Sequence, residues 1–203
     1  MKRALFSLAL LAGVLRPGWA QVGFPYAVQA GVLHESVSLP GAGAGGIRAP
    51  LHPGVRAGTE FYYGTGGKSG FFQSVSLTYY FHRKLHHHFS ISTRAGYRYH
   101  HRGGLFVDAA LGLGYTFLLP HGPVYAYTAH GDFARVRAAG LHRLLSSLGV
   151  SAGHRVSLSG RTAYPYLRYE IVGESPFNKE VPLLPHIVLE AGVRLPVHPN
   201  KPH

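Results

Sequence analysis

The chain has no cysteine. That excludes a disulfide scaffold, thiol chemistry and cysteine-based zinc sites. Negative charge is scarce too: 8 acidic residues stand against 20 Lys and Arg, a formal net charge of +12. No run reaches 18 apolar residues, so no transmembrane helix is expected, although 46% of the 203 residues are hydrophobic. The apolar residues must be arranged in some other way. At this length one domain suffices, since a β-barrel can use the whole chain.

The first twenty residues stand apart. Met1-Lys2-Arg3 is a basic start, Ala4 to Leu15 is a short apolar core, and Gly18-Trp19-Ala20 offers small residues before a cut at Gln21. This is the pattern of a secretory signal peptide, and the apolar core is too short to span a bilayer. The expected organisation is a signal peptide over 1–20, a barrel over 21–197 and a polar tail over 198–203. Removing the signal peptide leaves a net charge of +9.

What the chain does have is alternation. From Phe71 to Leu119 three strands follow one another almost without filler: FFQSVSLTYYFH, FSISTRAGYRYH and LFVDAALGLGYTFLL. Odd positions are apolar or aromatic, such as Val75, Leu77, Phe89, Ile91, Leu111 and Leu113. Even positions are small, polar or charged, such as Ser74, Ser76, Arg94, Arg98 and Asp108. Period two marks a sheet with one apolar and one polar face.

The same alternation predicts strands at 26–36, 54–63, 144–155, 164–173 and 186–195, making eight in all. Each is about as long as the roughly 9–11 residues of a tilted span. Long connections follow the first, fifth and seventh strands, and short ones the second, fourth and sixth. The short link after the third is an exception. A spanning barrel shows this rhythm, with both termini on the periplasmic side. The stretch 121–143 reads as the largest loop, with room for a short helix near 133–139.

The charged residues decide which face looks inward. Glu35, Glu60, Asp108, Glu170 and Glu190 all fall on polar faces, together with Arg56, Arg94, Arg98, Arg168 and Arg194. Lysine is nearly absent from the strands. A soluble barrel would carry Lys, Glu and Asp on its wet outside. Gly, Ser and Thr with paired Arg and carboxylates suit the crowded interior of a narrow barrel. The aromatic residues of the apolar faces gather toward strand ends, as interfacial girdles do. The expected interior charge network is Arg56, Glu60, Arg94, Arg98, Asp108, Arg168, Glu170, Glu190 and Arg194.

Two stretches carry a family resemblance: GYRYHHRGGLFVDAALGLGYTFLL (96–119) and PFNKEVPLLPHIVLEAGVRLPV (176–197). They resemble the small outer-membrane β-barrel proteins of Bacteroidetes-type bacteria, over roughly residues 22–197. The resemblance implies an eight-stranded membrane barrel in the outer membrane and carries over no catalytic residue. The ending Leu195-Pro196-Val197 with its polar tail departs from the aromatic ending usual in such barrels.

Sites of chemistry are few. His86-His87-His88, with His82 nearby, has no carboxylate within the stretch and reads as a solvated loop rather than a metal site. His100 and His101 read as a turn. His121, His130 and His142 lie in the largest loop. His154 and Ser146 share an outward face with no acidic residue, so a lipid-modifying triad is not evident. The glycine runs at 41–46 and 64–67 lack the lysine and helix of a phosphate loop.

The expectation is an all-β, eight-stranded antiparallel up-and-down transmembrane barrel with no catalytic residue, metal or cofactor. Its role would be structural or surface-interacting, as a monomer in the outer membrane. The expected partners are outer-membrane lipid, with lipopolysaccharide a candidate for the exposed cations. Nucleic acid is not expected, and the partner of the outer loops stays open. A lipid-modifying enzyme and a soluble lipocalin-like periplasmic carrier are the rival classes.

Overall fold

The computed structural model describes residues 26–36, 52–63, 68–82, 86–120, 124–127, 132–136, 140–158, 161–177 and 182–197. The expected signal peptide and polar tail, the glycine runs at 41–46 and 64–67, and His121 and His130 lie outside the described residues.

Among the described residues there are eleven strands: β1 (Tyr26–Ser36), β2 (His52–Tyr63), β3 (Ser69–His82), β4 (His86–His100), β5 (Leu105–Pro120), β6 (Val124–Tyr127), β7 (Phe133–Val136), β8 (Leu141–His154), β9 (Val156–Leu158), β10 (Arg161–Ser175) and β11 (Leu184–Val197). Eight of them close a barrel. The order is β11-β1-β2-β3-β4-β5-β8-β10, and β10 pairs with β11 to complete the ring. Every pairing is antiparallel between neighbours, the up-and-down arrangement. Closure runs from Tyr26 opposite Val197 to Ser36 opposite Ile187. No barrel strand is left with an open edge, which removes the hazard of strand addition from another chain.

The sequence dictates the facing of side chains. Val75, Leu77, Ile91, Leu111, Leu113, Leu148 and Leu167 point outward and are exposed. Ser74, Ser76, Ser92, Thr116 and the interior charges point into the lumen and are buried. The fold is therefore inside out relative to a soluble barrel.

One end carries short turns. Between β4 and β5 the chain reverses at His101–Gly104. Gly104 holds a φ of 88° that only glycine adopts freely, its N–H donating to the His101 carbonyl at 3.0 Å. The other end carries the long connections. There the structure corrects two expectations. The stretch near 133–139 holds no helix among its described residues, because Val124–Tyr127 and Phe133–Val136 pair as a β-hairpin. Branched and aromatic residues on both arms favour a ladder over a helix. His86, His87 and His88 are not a loop but the opening of β4, paired with Pro120, Leu119 and Leu118 of β5. Backbone pairing extends past the last apolar side chain, since a ladder does not need one.

Pro165 sits inside β10 at a step in the sheet. It lies opposite Val193 of β11 and, on its other side, falls between the residues that pair with β8 and those that pair with β9, a break in the ladder of the kind that tolerates proline.

Candidate functional site in the barrel lumen

All nine residues of the expected charge network lie inside the lumen, each at most 7% exposed. They form two groups. Nearer the short-turn end, Arg98 donates from Nε to Asp108 Oδ2 (3.0 Å) and from Nη1 to Glu60 Oε1 (2.6 Å). Arg194 lies at ion-pair distance from both acids, 3.3 Å from Glu60 and 3.2 Å from Asp108. Ser151 donates to the second oxygen of Asp108 at 2.6 Å. In the middle of the barrel, Arg56 Nη1 donates to Glu170 (2.8 Å) and Glu190 (2.6 Å). Arg168 donates to Glu190 at 3.0 Å, and Arg94 lies 3.6 Å from Glu170.

Arg98–Asp108 and Arg168–Glu190 lie opposite each other on neighbouring strands, while other contacts cross the lumen. Arg56 of β2 reaches β10 and β11, and Arg98 of β4 reaches past β3 to β2. They brace strands that share no ladder, which sheet hydrogen bonds cannot do. Such pairs contribute little net stability in themselves, but removing one partner strands a charge in low dielectric.

Aromatic rings link the two groups. The Tyr166 hydroxyl donates to Glu190, while its ring carries the Arg168 and Arg194 guanidinium groups at 4.8 and 4.2 Å. Arg98 lies over Phe72 at 4.6 Å and over Phe106 at 5.3 Å. Each of these three rings faces a glycine across the ladder: Phe72 and Gly96, Phe106 and Gly153, Tyr166 and Gly192.

Toward the long-connection end the lumen changes character. Leu33, Tyr80, Leu145, Val172 and Val188 form a buried apolar cluster. Beyond it lies a second polar layer that the sequence reading missed. His52 Nδ1 pairs with Glu35 Oε2 at 3.0 Å. Glu174 accepts from His88 Nε2 and from Arg143 Nη1, both at 2.8 Å. The His88 ring stacks on Tyr80 at 3.8 Å, and His186 is buried beside them. Parity was the available signal. His88 shares the parity of Arg94, His52 that of Arg56, Glu174 that of Glu170, and His186 that of Glu190. The predicted strands stopped short of His52, His88 and Glu174 and only began at His186 at this end.

The remaining candidates stay apart. Ser146 and His154 stand eight residues apart on β8, and each hydrogen-bonds a backbone carbonyl, of Gly173 at 3.4 Å and of Gly103 at 2.9 Å. His142 hydrogen-bonds the Tyr115 hydroxyl on the outer face. Among the described residues no group of three or more His, Cys, Asp or Glu is arranged to hold a metal ion. The charge lattice itself leaves little room: a void of about 10 Å³ lies between Phe72, Arg94, Asp108 and Arg168.

No family model matches the chain, and no curated protein matches it. Solved structures do. The Neisserial surface protein A is similar at 16% identity and a TM-score of 0.46, over 84% of this chain and 96% of that one. Ail, the attachment invasion locus protein of Yersinia pestis, is similar at 14% identity and a TM-score of 0.46, over 87% and 100%. The β domain of the Bordetella autotransporter BrkA follows at 12% identity and a TM-score of 0.36, over 86% and 100%.

Proposed function

We propose that the chain is an outer-membrane β-barrel protein of structural or surface-interacting role, a monomer of the small Bacteroidetes-type kind that its sequence resembles. The observation that carries this reading is the inversion of polarity. Leu111, Leu113 and Leu167 are more than 65% exposed, while Arg194 and Glu60 are wholly buried. A soluble protein would bury the former and hydrate the latter. Barrel strands of 11 to 16 residues reach or exceed what a tilted span requires.

The filled lumen argues against the rival roles. A lipocalin-like carrier needs an open apolar cavity inside, whereas this interior is packed with paired charges. A diffusion pore needs a continuous polar path, and the apolar cluster between the two charged layers interrupts it. A lipid-modifying enzyme needs an oriented nucleophile, and Ser146 and His154 are too far apart to cooperate. The work then falls to the surface at the long-connection end, with outer-membrane lipid around the barrel and anionic lipopolysaccharide the partner that the chain's excess of Lys and Arg over acidic residues favours.

Fractionation tests this directly. The protein should sediment with outer membranes, require detergent for extraction, and migrate differently on a gel before and after heating. Recovery in the soluble periplasm would overturn it.

A further inference from the structure

The exterior is not uniformly convex. On the faces of β11, β1, β2, β3, β4 and β5 lies a concavity of about 960 Å³ with an almost wholly apolar lining. Its floor is made by Ala30, Ala57 and Ala191, all exposed, where the other outward positions of β1, β2 and β11 carry larger side chains. Its wall is made by Tyr79, Phe89 and Tyr115. Tyr79 and Phe89 lie ring to ring at 4.9 Å.

The wall ends in polar groups on one side only. The Tyr79 hydroxyl pairs with His87 Nδ1 at 3.0 Å, and the Tyr115 hydroxyl with His142 Nδ1. Both imidazoles lie toward the long-connection end. The concavity therefore has the polarity of an amphiphile, apolar at mid-height and phenol and imidazole at the outer rim.

We infer that this concavity seats the acyl chain of a resident outer-leaflet lipid, with its headgroup at the Tyr79–His87 and Tyr115–His142 pairs. The inference rests on the outer-membrane reading. Continuity supports it: the concavity lies within the unbroken apolar exterior, so in the bilayer its occupant is a membrane component. Hydrophobicity cannot drive the seating, because lipid tails and the barrel wall are equally apolar. Shape does. A chain lying on alanines against a wall of rings gains dispersion contacts that a protruding surface does not offer. On the opposite wall Leu144, Leu148 and Val150 of β8 protrude, and the small outward residues Ser146 and Ala152 stand apart rather than forming a continuous floor.

The test is photolabelling in dimyristoylphosphatidylcholine liposomes doped with phosphatidylcholine carrying a diazirine on its acyl chain. Label should fall several-fold more on β1, β2 and the first half of β4 than on residues 144–150 of β8. The double substitution Ala30→Leu with Ala57→Leu should bring that labelling down to the β8 level, with flotation and heat-modifiable migration unchanged. Even labelling around the wild-type barrel would overturn the inference without any variant. So would an undiminished pattern in a folded double variant. A wild-type protein that does not float with liposomes would instead overturn the membrane reading beneath it.

Discussion

The ring of Phe106 occupies the space that a side chain at Gly153 would need: a Cβ on Gly153 would lie 2.4 Å from Phe106 Cζ and 2.2 Å from the Pro165 carbonyl oxygen. The glycine is there for the ring, and the ring in turn covers a stretch of backbone that no side chain shields. Gly153→Ala should therefore destabilise the barrel by about 1–3 kcal/mol through overpacking. Urea unfolding in detergent micelles measures this. Gly192→Ala, which meets Tyr166 Cζ at 2.6 Å, should behave alike. Gly103→Ala should be close to neutral, because its nearest neighbour is His101 Nδ1 at 3.7 Å.

Glu60 holds two arginines. Glu60→Gln should cost on the order of 3–5 kcal/mol, because Arg98 and Arg194 then share Asp108 alone among the acids near them. Replacing Glu60 and Arg98 together by Gln and Met should cost less than the sum of the single changes. The same unfolding assay completes the cycle, and strict additivity would show that the pair does not couple.

The outward face makes a different demand. Leu111 sits near the middle of β5 and is 66% exposed. Leu111→Arg should reduce stability in a bilayer by about 2–4 kcal/mol, the cost of a cation on the lipid face near mid-depth. Leu111→Phe should be tolerated. Refolding yield into liposomes separates the two, and an Arg variant that inserts as well as wild type would argue that this face does not meet lipid.

At the long-connection end, Glu174 is the acceptor shared by His88 and Arg143. Glu174→Gln should leave Arg143 without its carboxylate and His88 with a weaker partner, at a cost of about 1–3 kcal/mol. Because this layer ties β4, β8 and β10 at the roots of the long connections, the change should also speed limited proteolysis there. Cleavage at the opposite end should stay as in wild type.

How far the sequence spoke depended on the residue. Val75, Leu77, Arg94 and Asp108 announced their faces through parity, because only one facing hydrates or pairs a charge and gives an apolar chain its apolar contacts. The apolar lumen cluster was silent. Leu33, Val172 and Val188 share their parity with buried charges, and an apolar residue on a polar face breaks the alternation without saying why. His88 was masked by its neighbours, since three consecutive histidines carry no period. The hairpin of β6 and β7 was hidden by brevity, because four-residue strands are too short for a period to register. The inward rings of Phe72 and Phe106 were legible only as exceptions, and their glycine partners are neighbours across the ladder rather than along the chain.

The pairing of Tyr26 with Val197 means that the first strand made is completed by the last. Until β11 arrives, β1 and β10 each present a raw row of amide and carbonyl groups, and inside a hydrocarbon layer neither row has water to fall back on. Loss of the final strand would therefore not give a slightly shorter barrel. It would give an open seven-stranded trough whose two lips must find each other, another chain, or a chaperone, and in which Arg56 and Arg168 lose Glu190 while Glu60 and Asp108 lose Arg194 at the same stroke.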